Sequence, residues 1–479
     1  MKTTKKLLAM ALAAAMVVTA FAGCSGNNDT SSADSTSSAS SEASTSSDAS
    51  TSDESSATED DGTIHPMRIV QPGTLCPDYE TGMAAVNEKL KEDGVNIEVS
   101  VTRIPWDAYA EKLNLMLTTG EEFELLHVMQ DVKNLSAIAG MGAISSIHDS
   151  IQNYPDLYNK FSETEWLGTL YKGEEYAVPC YWRSFDNTMS YMDYRSDIAE
   201  KVGYDEFPDT TEGIIDLMKK SQDEILNETG MKAYSWFHQV QDTAHWLHRS
   251  YDTYPFYVEN SLGICLIRQD GTVDSFYESE EFKKDANTYY EMYQAGLIDP
   301  DILNRDHQKQ YDDANYGAML PSQTFDPYTG VTMQKNGVEG AEVKWVEAFG
   351  DDIPDMIYTY VQNLNAISST SEDPESGLKF LNWLYASEEN HDLFHYGIEG
   401  THYTKTGDHR IEQVKGDDGN PLYSMDTWMT GYLPYMAYAT DTPDEQVDYM
   451  TYKSDNYVIS PAAGFIFDSS NVTSELTNL

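Results

Sequence analysis

From Val95 to Val101 apolar and polar residues alternate without a break, Val95, Ile97, Val99 and Val101 against Asn96, Glu98 and Ser100. A period of two puts the apolar set on one side of an extended chain, so the segment reads as a strand with one buried face. Its flanks carry the other period. Met83, Val86 and Leu90 share a helical face upstream, closed by Gly94; Tyr109, Leu113, Met116 and Leu117 share one downstream, closed near Gly120. Pro105 breaks the strand, and Asp107 is placed to cap the helix after it. Met67 to Val70 reads as a short strand and Phe123 to Met129 as a buried one. Strand, helix, strand, helix, strand dictates an α/β fold with a parallel or mixed sheet.

The later chain keeps this style. Phe282, Ala286, Tyr289 and Tyr293 form a helical stripe that ends at Gly296. Asp373-Pro374 opens another helix, a cap followed by proline in the first turn. Leu378, Leu381, Leu384 and Tyr385 give its buried face, with Trp383 beside them as a packing residue. No repeat of short fixed period occurs.

The N-terminus is built for export. Lys2, Lys5 and Lys6 precede an apolar run from Leu7 to Ala22, the pattern of a secretory signal over residues 1–23. Its ending, Phe21-Ala22-Gly23-Cys24, resembles a bacterial lipobox, which implies a lipidated Cys24. Residues 24–63 are mostly Ser, Thr, Ala, Asp and Glu, too polar to offset the entropy of folding, and read as a disordered tether. Cys76, Cys180 and Cys265 then remain, an odd set far apart that makes neither a disulfide framework nor a zinc ribbon. The formal net charge of -50 repels phosphate backbones, so nucleic acid is excluded as a partner. No later stretch is apolar enough to cross a membrane, which leaves the lipid as the expected membrane contact.

Four further motifs follow in order. They are Pro105-Trp106-Asp107-Ala108-Tyr109 running on to Gly120; Tyr171-Lys172-Gly173-Glu174-Glu175-Tyr176-Ala177-Val178-Pro179; Asn365 to Ser371 with Pro374 and the helix to Trp383; and Tyr396-Gly397-Ile398-Glu399-Gly400-Thr401-His402-Tyr403. In this order, behind a lipobox, they resemble the family 1 extracellular solute-binding lipoproteins of bacterial ABC importers, carbohydrate type. The likeness runs from about Met67 to Phe467. Larger relatives continue beyond the segment Gly464 to Asp468, so either a shorter second lobe or a truncated chain is expected.

The resemblance implies a two-lobed, periplasmic-binding-protein-like fold of type II with a hinge between the lobes. It implies residues 64–185 and 318–362 in lobe 1, and 186–317 and 363–479 in lobe 2. The first crossing is expected near Val178 to Ser190, with Tyr316 to Ser322 returning to lobe 1 and Tyr360 to Ile367 leading back to lobe 2. It implies capture of a carbohydrate, an oligosaccharide above all, by a monomer at the outer face of a Gram-positive cytoplasmic membrane. The partners implied are the permease subunits of an ABC importer, with no cofactor and no catalysis.

Ligands of open α/β sheets sit beyond the carboxyl ends of strands. That rule selects Gln71 to Thr74, Trp106, His127, Gln130 and Asp131, then Trp182 and Arg183 at the crossing, and Ser322 and Gln323. Sugars offer apolar C–H faces to aromatic rings and a hydroxyl rim to polar groups. With 33 Tyr and 8 Trp the chain is rich in such rings. Trp236, Trp345 and Trp428 join the candidates, as do Glu399 and His402. Core packing for the tryptophans, and a surface ion pair for Asp131 or Arg183, are the plain alternatives.

Other functions stay open at this level. No G-x-S-x-G elbow, phosphate-binding G-x-x-x-x-G-K-[ST] loop or C-x-x-C pair is present. His391 and His395 are spaced to share a metal on a helix, with His402 or His409 as a third ligand, but Asp392 stands where a zincin has Glu. A glycan hydrolase, a peptide or other small-molecule receptor on the same fold, and a sensing or adhesive lipoprotein are the alternatives to sugar capture.

Overall fold

The computed structural model describes residues 63–130, 132–180, 191–234, 245–258, 264–300, 319–322, 333–334, 337–350, 352–357, 360–417, 419–444, 447 and 456–463. The first elements are β1 (His65–Pro72), α1 (Tyr79–Glu92), β2 (Ile97–Ile104), α2 (Trp106–Thr119) and β3 (Leu125–Met129). Asp107 is not the cap of α2. Pro105 holds that position without a side-chain bond, and Asp107 falls in the first turn, where its charge still complements the helix dipole.

After these come β4 (Ala177–Pro179), β5 (Tyr191–Arg195), β6 (Phe256–Val258), β7 (Cys265–Arg268), β8 (Val273–Ser275) and α3 (Glu280–Gln294). The C-terminal part adds β9 (Met319–Ser322), β10 (Val343–Glu347), β11 (Asn363–Ile367), α4 (Pro374–Leu384), α5 (Glu388–Tyr396) and the single turn α6 (Thr427–Thr430).

The main sheet has the order β2-β1-β3-β11-β4. β1 lies parallel to β2 from His65 opposite Ile97 to Pro72 opposite Ile104, and parallel to β3 with Ile69 opposite Leu125. β11 runs antiparallel to both β3 and β4. One face, with Met67, Ile69, Val99, Val101, Leu125 and Ile367, packs on the apolar stripes of α1, α4 and α5. The other, with Val70, Ile104, Leu126, Val128, Leu364 and Ala366, packs on Tyr109, Leu113, Met116 and Leu117 of α2. The stripes read from the sequence are the buried stripes here.

A second apolar core gathers Met192, Ile198, Leu217, Trp246, Phe256, Leu266 and Met292. It carries the antiparallel sheets β8-β7-β6 and β9-β5-β10. Among the described residues, two cores with separate sheets make a mixed α/β fold of two lobes.

Two expectations about the chain path are reversed. β9 pairs with β5 of the second lobe rather than returning to the first, and its Pro321 is tolerated because β9 is an edge strand. β11 does not lead into the second lobe. All five of its residues are buried, which suits a strand covered on both faces, and it sits inside the first-lobe sheet. The helices that follow it, α4 and α5, pack on that same sheet. The boundaries 318–362 and 363–479 are therefore exchanged for these elements.

The stripe expected on α3 is also rotated. Ala286 and Tyr293 are exposed, and Glu281, Asp285 and Met292 are buried instead. Arg268 holds Glu281, and His248 and Tyr251 hold Asp285. Paired carboxylates can occupy a core-facing position that a count of apolar residues assigns elsewhere.

Candidate functional site

Strand register places four polar side chains in one row across the main sheet. Gln71 lies opposite Arg103, and Asn365 opposite His127. The β1–β3 pairing of Ile69 with Leu125, continued by two residues, sets Gln71 beside His127. Partners in register point to the same face. The row Arg103, Gln71, His127, Asn365 thus caps the apolar face formed by Val101, Ile69, Leu125 and Ile367 at the carboxyl ends of β1, β2 and β3.

The row is buried and incompletely bonded. Gln71 is 1% exposed, and His127 and Asn365 are 0% exposed. Both amide atoms of Gln71, both ring nitrogens of His127, Nε of Arg103 and Oδ1 of Asn365 lack a hydrogen-bond partner of normal geometry. Burial drives the His127 pKa down to about 3, against the pull of the Asn365 side chain, the Met429 backbone and Asn363. His127 is therefore a neutral imidazole that offers one donor and one acceptor.

Residues 425–431, which include α6, lie over this row. Arg103 Nη1 donates to Asp426 Oδ2 at 2.9 Å and to the Pro72 carbonyl at 2.8 Å. Asn365 Nδ2 donates to the Met429 carbonyl at 3.0 Å. The Trp428 ring meets His127 edge-on at 5.1 Å and stacks on Trp106 at 5.9 Å with 23° between the planes. Trp106 is 55% exposed. An indole that large and that open, at the first turn of a helix launched by Pro105, is a platform rather than core. The open indole face, over a buried polar row whose one cation, Arg103, is paired with Asp426, is suited to the apolar face of a hydroxyl-rich molecule.

The expected site residues divide. Trp106, His127 and Trp428 come together here. Gln130 stands at the end of β3, but its Oε1 accepts the Leu135 N–H and supports the next turn. Trp345 is half-buried on β10, opposite Asp193 of β5 in the second lobe. Glu399 is exposed in the turn after α5. His402 is corrected to a structural role. It is 0% exposed, its Nδ1 accepts the Ile398 N–H, and its Nε2 donates to Asp78 Oδ2, so neither nitrogen is left for a ligand. Asp131, Trp182, Arg183, Trp236, Gln323 and Cys24 lie outside the described residues.

Each histidine of the α5 pair is held through one ring nitrogen. His391 Nε2 accepts the Tyr432 N–H and His395 Nδ1 donates to the Met425 carbonyl. His409 is engaged through Nδ1 with the Met436 carbonyl. Burial lowers the pKa of both His391 and His395 to about 3. Among the described residues, no group of three His, Cys, Asp or Glu side chains is arranged to hold an ion.

Arg103, Asn363 and Asn365 were not singled out from the sequence. The available signal was a polar residue at a core-facing register position: Gln71 after Ile69, His127 after Leu125, Asn365 before Ile367. One such residue is unremarked in a strand; three at the same level of neighbouring strands mark a site.

Comparison with known proteins identifies the family and the fold. Residues 77–391 match the family model of bacterial extracellular solute-binding proteins. A carbohydrate ABC transporter substrate-binding protein of Streptococcus pneumoniae is 23% identical over 415 residues, covering 84% of this chain and 78% of its own. Among solved structures, the N-glycan transport solute-binding protein of Streptococcus pneumoniae, in complex with Man5GlcNAc, superposes with a TM-score of 0.60 at 20% identity, over 86% of this chain and 87% of the other. An HMO-binding, ABC-transporter-associated solute-binding protein of Bifidobacterium longum infantis gives a TM-score of 0.55 at 17% identity, over 80% and 81%. At these identities the likeness is one of fold.

Proposed function

The chain belongs to the bacterial extracellular solute-binding protein family, and from that premise we propose that it captures an oligosaccharide and delivers it to an ABC importer. The observation that carries this reading is the Trp106–Trp428 platform above the buried polar row, at the carboxyl edge of the first-lobe sheet. Sugar rings present an apolar C–H face that such indoles cover, while polar groups at the strand ends address the hydroxyl rim. The names of the related proteins point the same way, to carbohydrate and N-glycan transport.

Under this reading the protein binds and releases its cargo without transforming it. The lobes close on the glycan by hinge motion, and residues of the second lobe, Trp345 among them, complete the cleft. Cys24 carries the lipid, residues 24–63 tether the folded part to the outer face of the membrane, and the monomer meets permease subunits there. Support for the anchor is the signal run ending in Phe21-Ala22-Gly23-Cys24; no helix among the described residues is long and apolar enough to cross a membrane.

A thermal-shift screen tests the reading, because a ligand that binds only the folded state raises the melting temperature. Man5GlcNAc, other manno- and gluco-oligosaccharides, N-acetylglucosamine-containing glycans, short peptides and zinc are compared. A shift confined to oligosaccharides is expected. A shift with peptides or zinc and none with any glycan would keep the fold and overturn the function.

A further inference from the structure

The polar row raises a physical problem that the exposed platform alone does not solve. Burying an amide or imidazole atom without a partner costs about 1–3 kcal/mol, and native interiors rarely tolerate several together. Here Gln71, His127 and Asn365 leave such atoms side by side, and Thr430 Oγ1 of the covering segment is a further one. Gln71 offers an amide donor and an acceptor, Asn365 an acceptor beside its bond to Met429, and neutral His127 one of each. A hydroxyl both donates and accepts, so the three groups match hydroxyls, and the one fixed charge beside them, Arg103, is already paired with Asp426.

The covering segment is pinned at its ends. At one end the Met425 N–H donates to the His395 carbonyl and His395 Nδ1 donates to the Met425 carbonyl. At the other the Tyr432 N–H donates to His391 Nε2. Between these pins Arg103, its side chain 2% exposed, pairs with Asp426, whose side chain is 50% exposed, and Asn365 Nδ2 donates to the Met429 carbonyl. One sheet-side group beneath the segment is chemically addressable: the Cys180 thiol lies 3.2 Å from the Trp428 carbonyl and 3.6 Å from that of Gly431.

We propose that Gln71, His127 and Asn365 are the floor of a covered subsite for uncharged, hydroxyl-bearing groups, and that residues 426–431 are a strap that lifts from it between the Met425 and Tyr432 pins. The assignment of a glycan end as occupant rests on the carbohydrate reading above. The lifting of the strap does not. In the covered state the strap lends the row Trp428 and the Met429 carbonyl. In the lifted state hydroxyls satisfy the floor, and the Trp106–Trp428 stack parts to admit a ring between the indoles.

Cys180 reports the motion in the unmodified protein. It is a free thiol, 5% exposed, and burial raises its pKa, so it reacts only when its cover moves. Labelling of the mature chain with N-ethylmaleimide, read at each cysteine by peptide mass spectrometry across a urea series, separates local from global opening. We expect Cys180 labelling to be independent of urea at low concentrations. The neutral oligosaccharide with the largest thermal shift, by holding the strap lifted, should speed it at least tenfold. Gln71→Met should leave the unliganded melting temperature unchanged or raised and weaken that oligosaccharide at least tenfold, with Gln71→Ala as the substitute if the methionine variant misfolds.

Cys180 labelling that follows global unfolding at every urea concentration would overturn the strap. Oligosaccharide affinity retained in the Gln71 variants, or urea-independent labelling that the bound oligosaccharide leaves unchanged, would overturn the floor while the carbohydrate reading stands. Urea-independent labelling with no oligosaccharide bound by the wild type would leave a moving strap and remove both its sugar occupant and the carbohydrate reading.

Discussion

At the scale of single residues, two interior positions carry consequences for stability. Gly397 adopts φ +85°, and a Cβ there would stand 2.3 Å from His402 Nδ1, the atom that accepts the Ile398 N–H. Gly397→Ala therefore costs the left-handed backbone term and a collision in a packed turn, about 2–4 kcal/mol together. Urea denaturation checks this, and a loss under about 1 kcal/mol would mean that the turn can give way. His127, His391 and His395 are buried neutral, each with its pKa lowered to about 3. An unfolded imidazole takes up its proton at about pH 6.5. Between those limits the unfolded chain binds more protons than the folded one, so stability is complete above pH 6.5 and falls as the pH drops toward 3. His391→Gln should flatten the slope of melting temperature against pH in that window; an unchanged slope would mean that other groups set it.

These residues also show what the sequence could tell. Trp106 was legible because an indole directly after a strand-ending proline has no core face to join. His127 was legible as a polar residue within a buried apolar strand, near its carboxyl end. Asn365 and Arg103 were not, since their importance depends on register between strands far apart in the chain, and register is a tertiary fact. His402 was misread because a histidine in a polar turn looks available until its two partners, Ile398 and Asp78, are in place.

At the scale of elements, periodicity located the helices and strands of the first lobe and failed where pairing replaces hydrophobicity. The α3 stripe was rotated because Glu281 and Asp285 go inward to Arg268 and to His248 with Tyr251. The Arg268 partnership overcomes burial and holds Glu281 down at about 2. A stronger case joins the segment after His248 to β10. Arg249, with its side chain 1% exposed, meets Glu347 at 2.6 Å and Asp355 at 2.9 Å and donates to the carbonyls of Ala348, Gly350 and Ile353. Removing one side of a buried pair leaves charge without compensation, which costs about 3–5 kcal/mol. Arg249→Met should show that loss in chemical denaturation, and a change below about 1 kcal/mol would mean that the carboxylates protonate or rehydrate at little cost. The order of lobes along the chain was misread at β9 and β11 because strand identity does not reveal which sheet receives a strand. Pro321 in β9 was a usable sign of an edge.

At the scale of the whole molecule, two cores joined through several chain passages suit closure around a cargo. Small-angle scattering should show a smaller radius of gyration at saturating oligosaccharide than without it, and an unchanged radius would contradict hinge closure. The central claim is that the Trp106–Trp428 platform binds an oligosaccharide, and titration calorimetry of neutral oligosaccharides into the wild type and Trp106→Ala tests it most directly. Because Trp106 is exposed, the account predicts an unchanged melting temperature in the variant. It also predicts affinity weaker by about 1–2 kcal/mol, roughly five- to thirtyfold, from the lost stacking. Equal affinity in the two proteins, or no oligosaccharide bound by the wild type, would contradict it.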